Sequence, residues 1–325
     1  MRTTLACLSV LLVSNTSYAD KIKDQLQKES DYNYATSIVL SDSDVFTFGF
    51  SNFDPNEYLD LEDTSLGDPG SVDLKKKMSV TSLPFTLPLR RYGYSPYQSK
   101  LNGRVYLLSN EQDFYISNSA TSDKLRELNL GGYLELEQEI SLTRTLTVHN
   151  AIGTHLMYYK NDYQYRNDFL QDYRSQIDGV YLNTSSIATV GELSTTLKYT
   201  HNGRLGQWYI WSSPHYFNGV SMNLDNHDQQ GNPEGWYWVN GIKVFYHIGN
   251  FGRSIQSFYT SFSRVDLGGD TEQPMNTDHY YETSFGWLMS PPFKIPFVMN
   301  IGIGMSLNYG SAFKGGSFVL FFNQA

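Results

Sequence analysis

The sequence predicts a closed, antiparallel, up-and-down β-barrel of about twelve strands that crosses a membrane. Three observations predict it. Apolar and polar residues alternate over long runs, short connections alternate with longer ones, and aromatic residues gather near the ends of the runs.

The alternation is clearest in LNLGGYLELEQEI (128–140). Leu128, Leu130, Leu134 and Leu136 occupy even positions, while Glu127, Glu135, Glu137 and Glu139 occupy odd ones. Successive side chains of a strand point to opposite faces, so the leucines share one face and the carboxylates the other. PFVMNIGIGMSLNYG repeats the pattern with Ile301, Ile303 and Met305 on its apolar face, as do SSIATVGELSTTLKYT, WYWVNGIKVFYHI and YETSFGWLM. A period of two favours strand over helix. Soluble strands commonly run about 5–6 residues, whereas a tilted membrane strand needs about 9–11. These segments reach the second figure.

Taken in order, residues 1–19 read as an export signal. Arg2 precedes an apolar run from Leu5 to Val13, and Ser17-Tyr18-Ala19 supplies a small-x-small cleavage site. The run is too short for a membrane anchor. Cys7 is the only cysteine, so the exported part has no disulfide and no cysteine metal motif. Removing Arg2 leaves 23 basic residues against 33 acidic ones, a charge of about −10. There is no basic stripe, which argues against a nucleic-acid partner. Residues 20–43 are expected to form a periplasmic segment or a short plug. KIKDQLQKES (21–30) has helix formers, with Ile22 and Leu26 one turn apart. Ten residues rarely hold a helix unaided, which favours a tail. The barrel then occupies 44–325.

Within it, short turns are expected at 140–144, 201–204, 249–253 and 290–296. Loops are expected at 51–71, 110–123, 160–184, 213–235, 267–278 and 309–316. Outer-membrane barrels alternate short periplasmic turns with longer external loops in this way, which places both chain ends with the turns. PFTLPLRRYGYSPYQSK (84–100) fits worst, because it occupies a turn position yet is long and carries three prolines.

An export signal, a short segment before the first strand and a twelve-stranded barrel resemble the solitary outer-membrane autotransporter-like β-barrel domains. The resemblance covers roughly 30–325 and is carried by the strand pattern, WYWVNGIKVFYHIGNFGRSIQSFYTSF and GSFVLFF. It implies a Gram-negative outer-membrane location. It also implies contact with outer-membrane lipids and lipopolysaccharide, and handling by the barrel-assembly machinery and periplasmic chaperones. It supplies no catalytic set and no cofactor. One departure is that Asn323-Gln324-Ala325 follow the alternating Phe318, Leu320 and Phe322, where many such barrels end on an aromatic.

The residues expected to line the lumen are Arg104, Glu127, Glu135, Glu137, Glu139, Glu192, Lys198, Lys243 and Glu282. Those expected to face lipid are Leu130, Leu134, Leu136, Ile301, Ile303 and Met305. Carboxylates two residues apart on a strand stand about 7 Å from one another, in keeping with a polar barrel interior. A surface, structural or small-solute pore role without catalysis is the expected function. A narrow cation-preferring channel comes second, because acidic rings favour cations. An outer-membrane lipid hydrolase comes third, since it needs a serine activated by a histidine. None of the seven histidines is followed by serine at the second position. His201 in HNGR reads as a hairpin residue. His149, His155 and His247 fall on lumen faces as hydrogen-bonded filling. The acidic stretch 51–71 lacks the spacing of a calcium loop, so no metal site is expected.

Overall fold

The structure, a computed structural model, describes residues 16–42, 46–50, 77–89, 96–114, 123–166, 174, 178–179, 182–225, 230–275, 277–293, 300–310 and 314–322. A helix, α1 (Thr16–Ser41), comes first. The strands that follow are β1 (Phe46–Phe50), β2 (Lys77–Pro88), β3 (Tyr97–Phe114), β4 (Asp123–Ser141), β5 (Leu146–Gln164) and β6 (Ser185–Gly203). After them come β7 (Gly206–Asn223), the two-residue β8 (Gln230–Gly231), β9 (Glu234–Phe251) and β10 (Ser254–Gly269). A short helix, α2 (Glu272–Met275), precedes β11 (His279–Met289), β12 (Ile301–Gly310) and β13 (Lys314–Phe322).

Setting β8 aside, each strand pairs antiparallel with the next, β7 passing directly to β9. Phe46 to Phe50 of β1 then pair with Leu320 to Gly316 of β13, which among the described residues closes a ring of twelve strands. Closure removes the open sheet edges that hydrocarbon does not tolerate.

Several connections differ from the sequence expectation. β7 continues to Asn223, so 213–235 is mostly strand and the connection shrinks to 224–233. The stretch keeps its alternation, with Tyr216, Val220 and Met222 outward and Phe217, Ser221 and Asn223 inward. Of 84–100, residues 84–88 close β2 and 97–100 open β3, while 90–95 lie outside the described residues. β1 pairs with β2 only at Thr47–Ser82 and Phe48–Thr81, so Pro84 and Pro88 have no β1 partner among the described residues. That is an edge position, where a missing N–H costs no ladder bond. The hairpin in HNGR turns at Arg204 and Leu205, with Asn202 and Gly203 still paired to Gln207 and Gly206. The segment 51–71 lies outside the described residues.

The outer surface carries exposed Leu, Ile, Val, Phe and Trp side chains on strands all round the ring, from Val105 on β3 to Leu320 on β13. Soluble monomers rarely expose contiguous apolar patches above a few hundred Å². A lipid solvent accounts for such a girdle.

The interior holds the C-terminal part of α1, from about Asp31 to Ser41. Tyr34, Ala35 and Ile38 are 0% exposed and pack with Tyr106, Tyr133, Tyr159, Phe217 and Tyr237 of the wall. Polar contacts fix the C-terminal part of the helix, from Asp31 onward. Asp31 accepts from Ser221 Oγ (3.1 Å) and the Asn232 N–H (3.0 Å), Asn33 donates to Glu127, and Asn129 donates to Ser37 Oγ (2.8 Å). At its end Arg104 donates to Asp42 (2.6 Å). Asp31 sits beside the β7–β9 loop and Asp42 sits deeper in the lumen. The helix therefore enters from the loop end, whereas the sequence pattern places both chain ends with the short turns. It also runs well past residue 30. Packing against the wall supplies the stability that an isolated ten-residue helix lacks.

Candidate functional site

The inward rows of β3 to β9 converge below the end of α1. Each row follows from strand parity. Arg104 and Tyr106 come from β3, Tyr133 from β4, His155 from β5, Glu192 and Thr196 from β6, Ser213 and His215 from β7, and Tyr237 from β9. Two glycines let aromatic rings lie flat across the neighbouring strand. A Cβ at Gly131 would stand 2.2 Å from the Tyr106 ring, and one at Gly153 would stand 2.5 Å from the Tyr133 ring. The rings thereby reach His155. Tyr106 Oη lies 3.1 Å from His155 Nδ1, and Tyr133 stacks on the imidazole at 4.1 Å. The Arg104 guanidinium caps the far side of Tyr133 at 4.3 Å.

Glu192 is the hub and is 2% exposed. His155 Nε2 lies 2.6 Å from Oε2, His215 Nδ1 lies 2.7 Å from Oε1, and Tyr237 Oη donates to Oε1 at 2.8 Å. A buried carboxylate is costly unless hydrogen-bonded and paired, and these three groups supply that compensation. His215 stacks on Tyr237 at 4.2 Å, and its Nε2 lies 2.8 Å from Ser213 Oγ. Ser213 Oγ in turn lies 2.6 Å from Thr196 Oγ1. β6 and β7 pair throughout except at Thr195 and Thr196, which face Ser213 and Pro214. Pro214 has no N–H to give to a ladder, so its presence accounts for the interruption.

A second polar tier lies toward the turn end. Asn102 donates to both Glu135 (2.8 Å) and Glu137 (2.6 Å), and Tyr133 Oη donates to Glu135. Glu137 also meets His149 Nδ1 at 2.6 Å. Glu137, Glu139 and His149 offer ligand atoms within 4.8 Å of one another. Lys100 Nζ stands 2.7 Å from Glu139 and 3.6 Å from Glu137, so an ammonium already supplies positive charge there.

Of the other residues expected in the lumen, Glu127 accepts from Tyr159 Oη (2.6 Å) and Asn110 beside α1. Lys198, Lys243 and Glu282 line a cavity of about 280 Å³ below the helix, with Tyr209, Trp211 and Tyr259. Lys198 Nζ stands 3.8 Å from the centre of the Tyr209 ring. A smaller adjoining cavity of about 100 Å³ is lined by Asp42, Arg104, Glu135 and Glu192, and His215 borders both. On the outside, Leu134 is 50% and Ile303 62% exposed; Leu130, Leu136 and Ile301 are exposed too, and Met305 is half-buried.

Sequence reasoning misses Ser213, His215, Thr196, Tyr237 and Asp42. Testing each histidine for a serine two residues later passes over Ser213, which stands two residues before His215. Two positions on one strand share a face in either order, so a symmetric search would have found the pair. Nothing in the sequence brings Asp42 to Arg104.

Twelve strands with an apolar outside and a polar, helix-filled inside define an integral β-barrel of the bacterial outer membrane. The solitary outer membrane autotransporter beta-barrel domain model matches residues 31–324, and the chain belongs to that family. Three solved structures are similar to it at low identity. The transport unit of the autotransporter AIDA-I from Escherichia coli is 9% identical with a TM-score of 0.49, over 88% of this chain and 95% of that one. LpxR from Salmonella typhimurium is 11% identical (TM-score 0.40, 86% and 99% covered). The translocator domain of NalP from Neisseria meningitidis is 7% identical (TM-score 0.39, 75% and 85% covered). Among curated proteins the sequence has no match.

Proposed function

We propose that the protein is a plugged structural barrel of the outer membrane, presenting its long-loop end at the cell surface with α1 closing the lumen. The observation that carries this reading is the burial of Tyr34, Ala35 and Ile38 inside the ring. A helix with side chains is about 10–12 Å across, which leaves little of a twelve-stranded lumen open. A cation-preferring pore fits less well, because Lys100, Arg104, Lys198 and Lys243 stand among the carboxylates and offset their charge. Lipid-facing Leu130, Leu134, Leu136, Ile301, Ile303 and Met305 would hold the barrel among outer-membrane lipids. The alternating final strand suits handling by the barrel-assembly machinery.

Conductance in planar bilayers tests the plug. The full chain is expected to insert without steady current, and a variant lacking residues 20–41 is expected to show discrete open steps. Steady, ohmic conductance from the full chain would overturn the reading.

A further inference from the structure

We propose that Ser213, His215 and Glu192 form a charge-relay triad that hydrolyses short carboxylic esters reaching the lumen from its turn end. This adds an activity to the plugged barrel and does not depend on conductance.

The geometry runs in one line. Glu192 Oε1 lies 2.7 Å from His215 Nδ1, and His215 Nε2 lies 2.8 Å from Ser213 Oγ. A carboxylate at Nδ1 keeps the proton of a neutral imidazole on that nitrogen, which leaves Nε2 as an acceptor. Ser213 then donates to Nε2, and Thr196 Oγ1 donates to Ser213 Oγ. Nucleophile, base and orienting acid are thus within hydrogen-bond reach in sequence, the arrangement by which triads are recognised irrespective of chain order. Glu192 is itself fixed from two further directions by His155 and Tyr237, so the acid does not wander.

Two features separate this cluster from ordinary lumen filling. Ser213 and His215 line the 280 Å³ cavity below α1, on the side of the barrel toward the turns. The β6–β7 ladder is interrupted at Ser213 and Pro214, beside the nucleophile. The main cavity lies just under the usual range of about 300–1,000 Å³ for small-molecule sites, which suits a short acyl ester and not a multiply acylated lipid.

In the reaction, Ser213 Oγ adds to the ester carbonyl carbon and its proton passes to His215 Nε2. The tetrahedral intermediate collapses with cleavage of the acyl C–O bond, and the departing alkoxide takes the proton from Nε2. Water then adds to the acyl-serine, giving its proton to Nε2. The second collapse releases the carboxylic acid as Ser213 Oγ regains a proton. Ester and water become acid and alcohol, with no oxidant or further reactant required.

The test uses the full chain folded in detergent micelles, with p-nitrophenyl butyrate as substrate and a fluorophosphonate as covalent probe. The wild type is expected to turn over the ester and to carry the probe on the peptide containing Ser213. Ser213→Ala should abolish labelling and lower kcat/KM by roughly 10³-fold or more, and His215→Gln should do comparable harm. Unchanged heat-modifiable migration on gels shows that each variant is folded. If Ser213→Ala unfolds, probe mapping on the wild type decides alone. Absence of labelling in the wild type, probe on another residue, or hydrolysis that survives Ser213→Ala in a folded barrel each overturns the proposal.

Discussion

Replacing Asp42 by Asn loosens the plug by an amount the structure sets. Arg104 Nη1 donates to Asp42 Oδ1 at 2.6 Å, and the two side chains are 9% and 26% exposed. Removing one partner of a fully buried pair costs about 3–5 kcal/mol, because the other charge is left uncompensated. Asp42 is reached by water on about a quarter of its surface, and exposed pairs contribute only about 0–1 kcal/mol, so about 2–3 kcal/mol is the reasonable figure here. Tyr237 Oη, 3.0 Å from Asp42 Oδ2 and 2.8 Å from Glu192, retains a partner in either case. At 1.4 kcal/mol per decade, that cost raises the undocked population of α1 by about 30- to 140-fold. Amide hydrogen exchange over residues 30–41 reads it directly, since local opening governs protection. Protection should fall by that factor in the helix and not in β4 or β5. Unchanged helix protection would refute the latch, and an equal loss in the strands would show that the substitution weakens the whole barrel instead.

Gly131→Ala would place a methyl 2.2 Å from the buried Tyr106 ring, whereas a Cβ at Gly132 meets nothing within 4 Å. Gly131→Ala should therefore cost about 1–3 kcal/mol in urea unfolding and Gly132→Ala close to nothing; equal effects would show that the ring does not need the glycine. In the β7–β9 loop, the Asp225 carboxylate accepts from the Ser185 N–H (2.7 Å) and from Thr184 Oγ1. The backbone bond foremost, with the hydroxyls, holds its pKa below the ordinary 3.8. A depressed acid stabilises the folded state above its unfolded pKa, and the contribution disappears as pH falls through the folded value. Protection of the Ser185 amide should hold at pH 5 and decline below about pH 3.8. Protection that does not change across that range contradicts the link.

Much of the barrel was legible because a lipid solvent enforces strict alternation. Leu128 to Leu136 stand outward and Glu135 to Glu139 inward as parity requires. Ring closure and the even strand number follow from the same rhythm. Loop lengths were less legible, since a strand as long as β7, which runs on through Tyr216 and Val220, looks like a connection once Pro, Asn and Gly enter it. Which of the two readings of residues 20–43 applies was not legible, because the anchors of the helix are long-range: Ser221, Asn129 and Arg104 are distant in sequence from Asp31, Ser37 and Asp42. The Ser213–His215 pair was hidden by assuming one order of two residues.

A membrane barrel requires one side of each strand to meet hydrocarbon and the other to face the lumen. Single cysteines placed from 130 to 137 in a Cys7-free background, each carrying an environment-sensitive fluorophore, test it in vesicles containing nitroxide-labelled lipid. Strong quenching at 130, 134 and 136 with weak quenching at 133, 135 and 137 is the predicted result. Quenching that is uniform along β4, or absent throughout, would contradict the barrel as described.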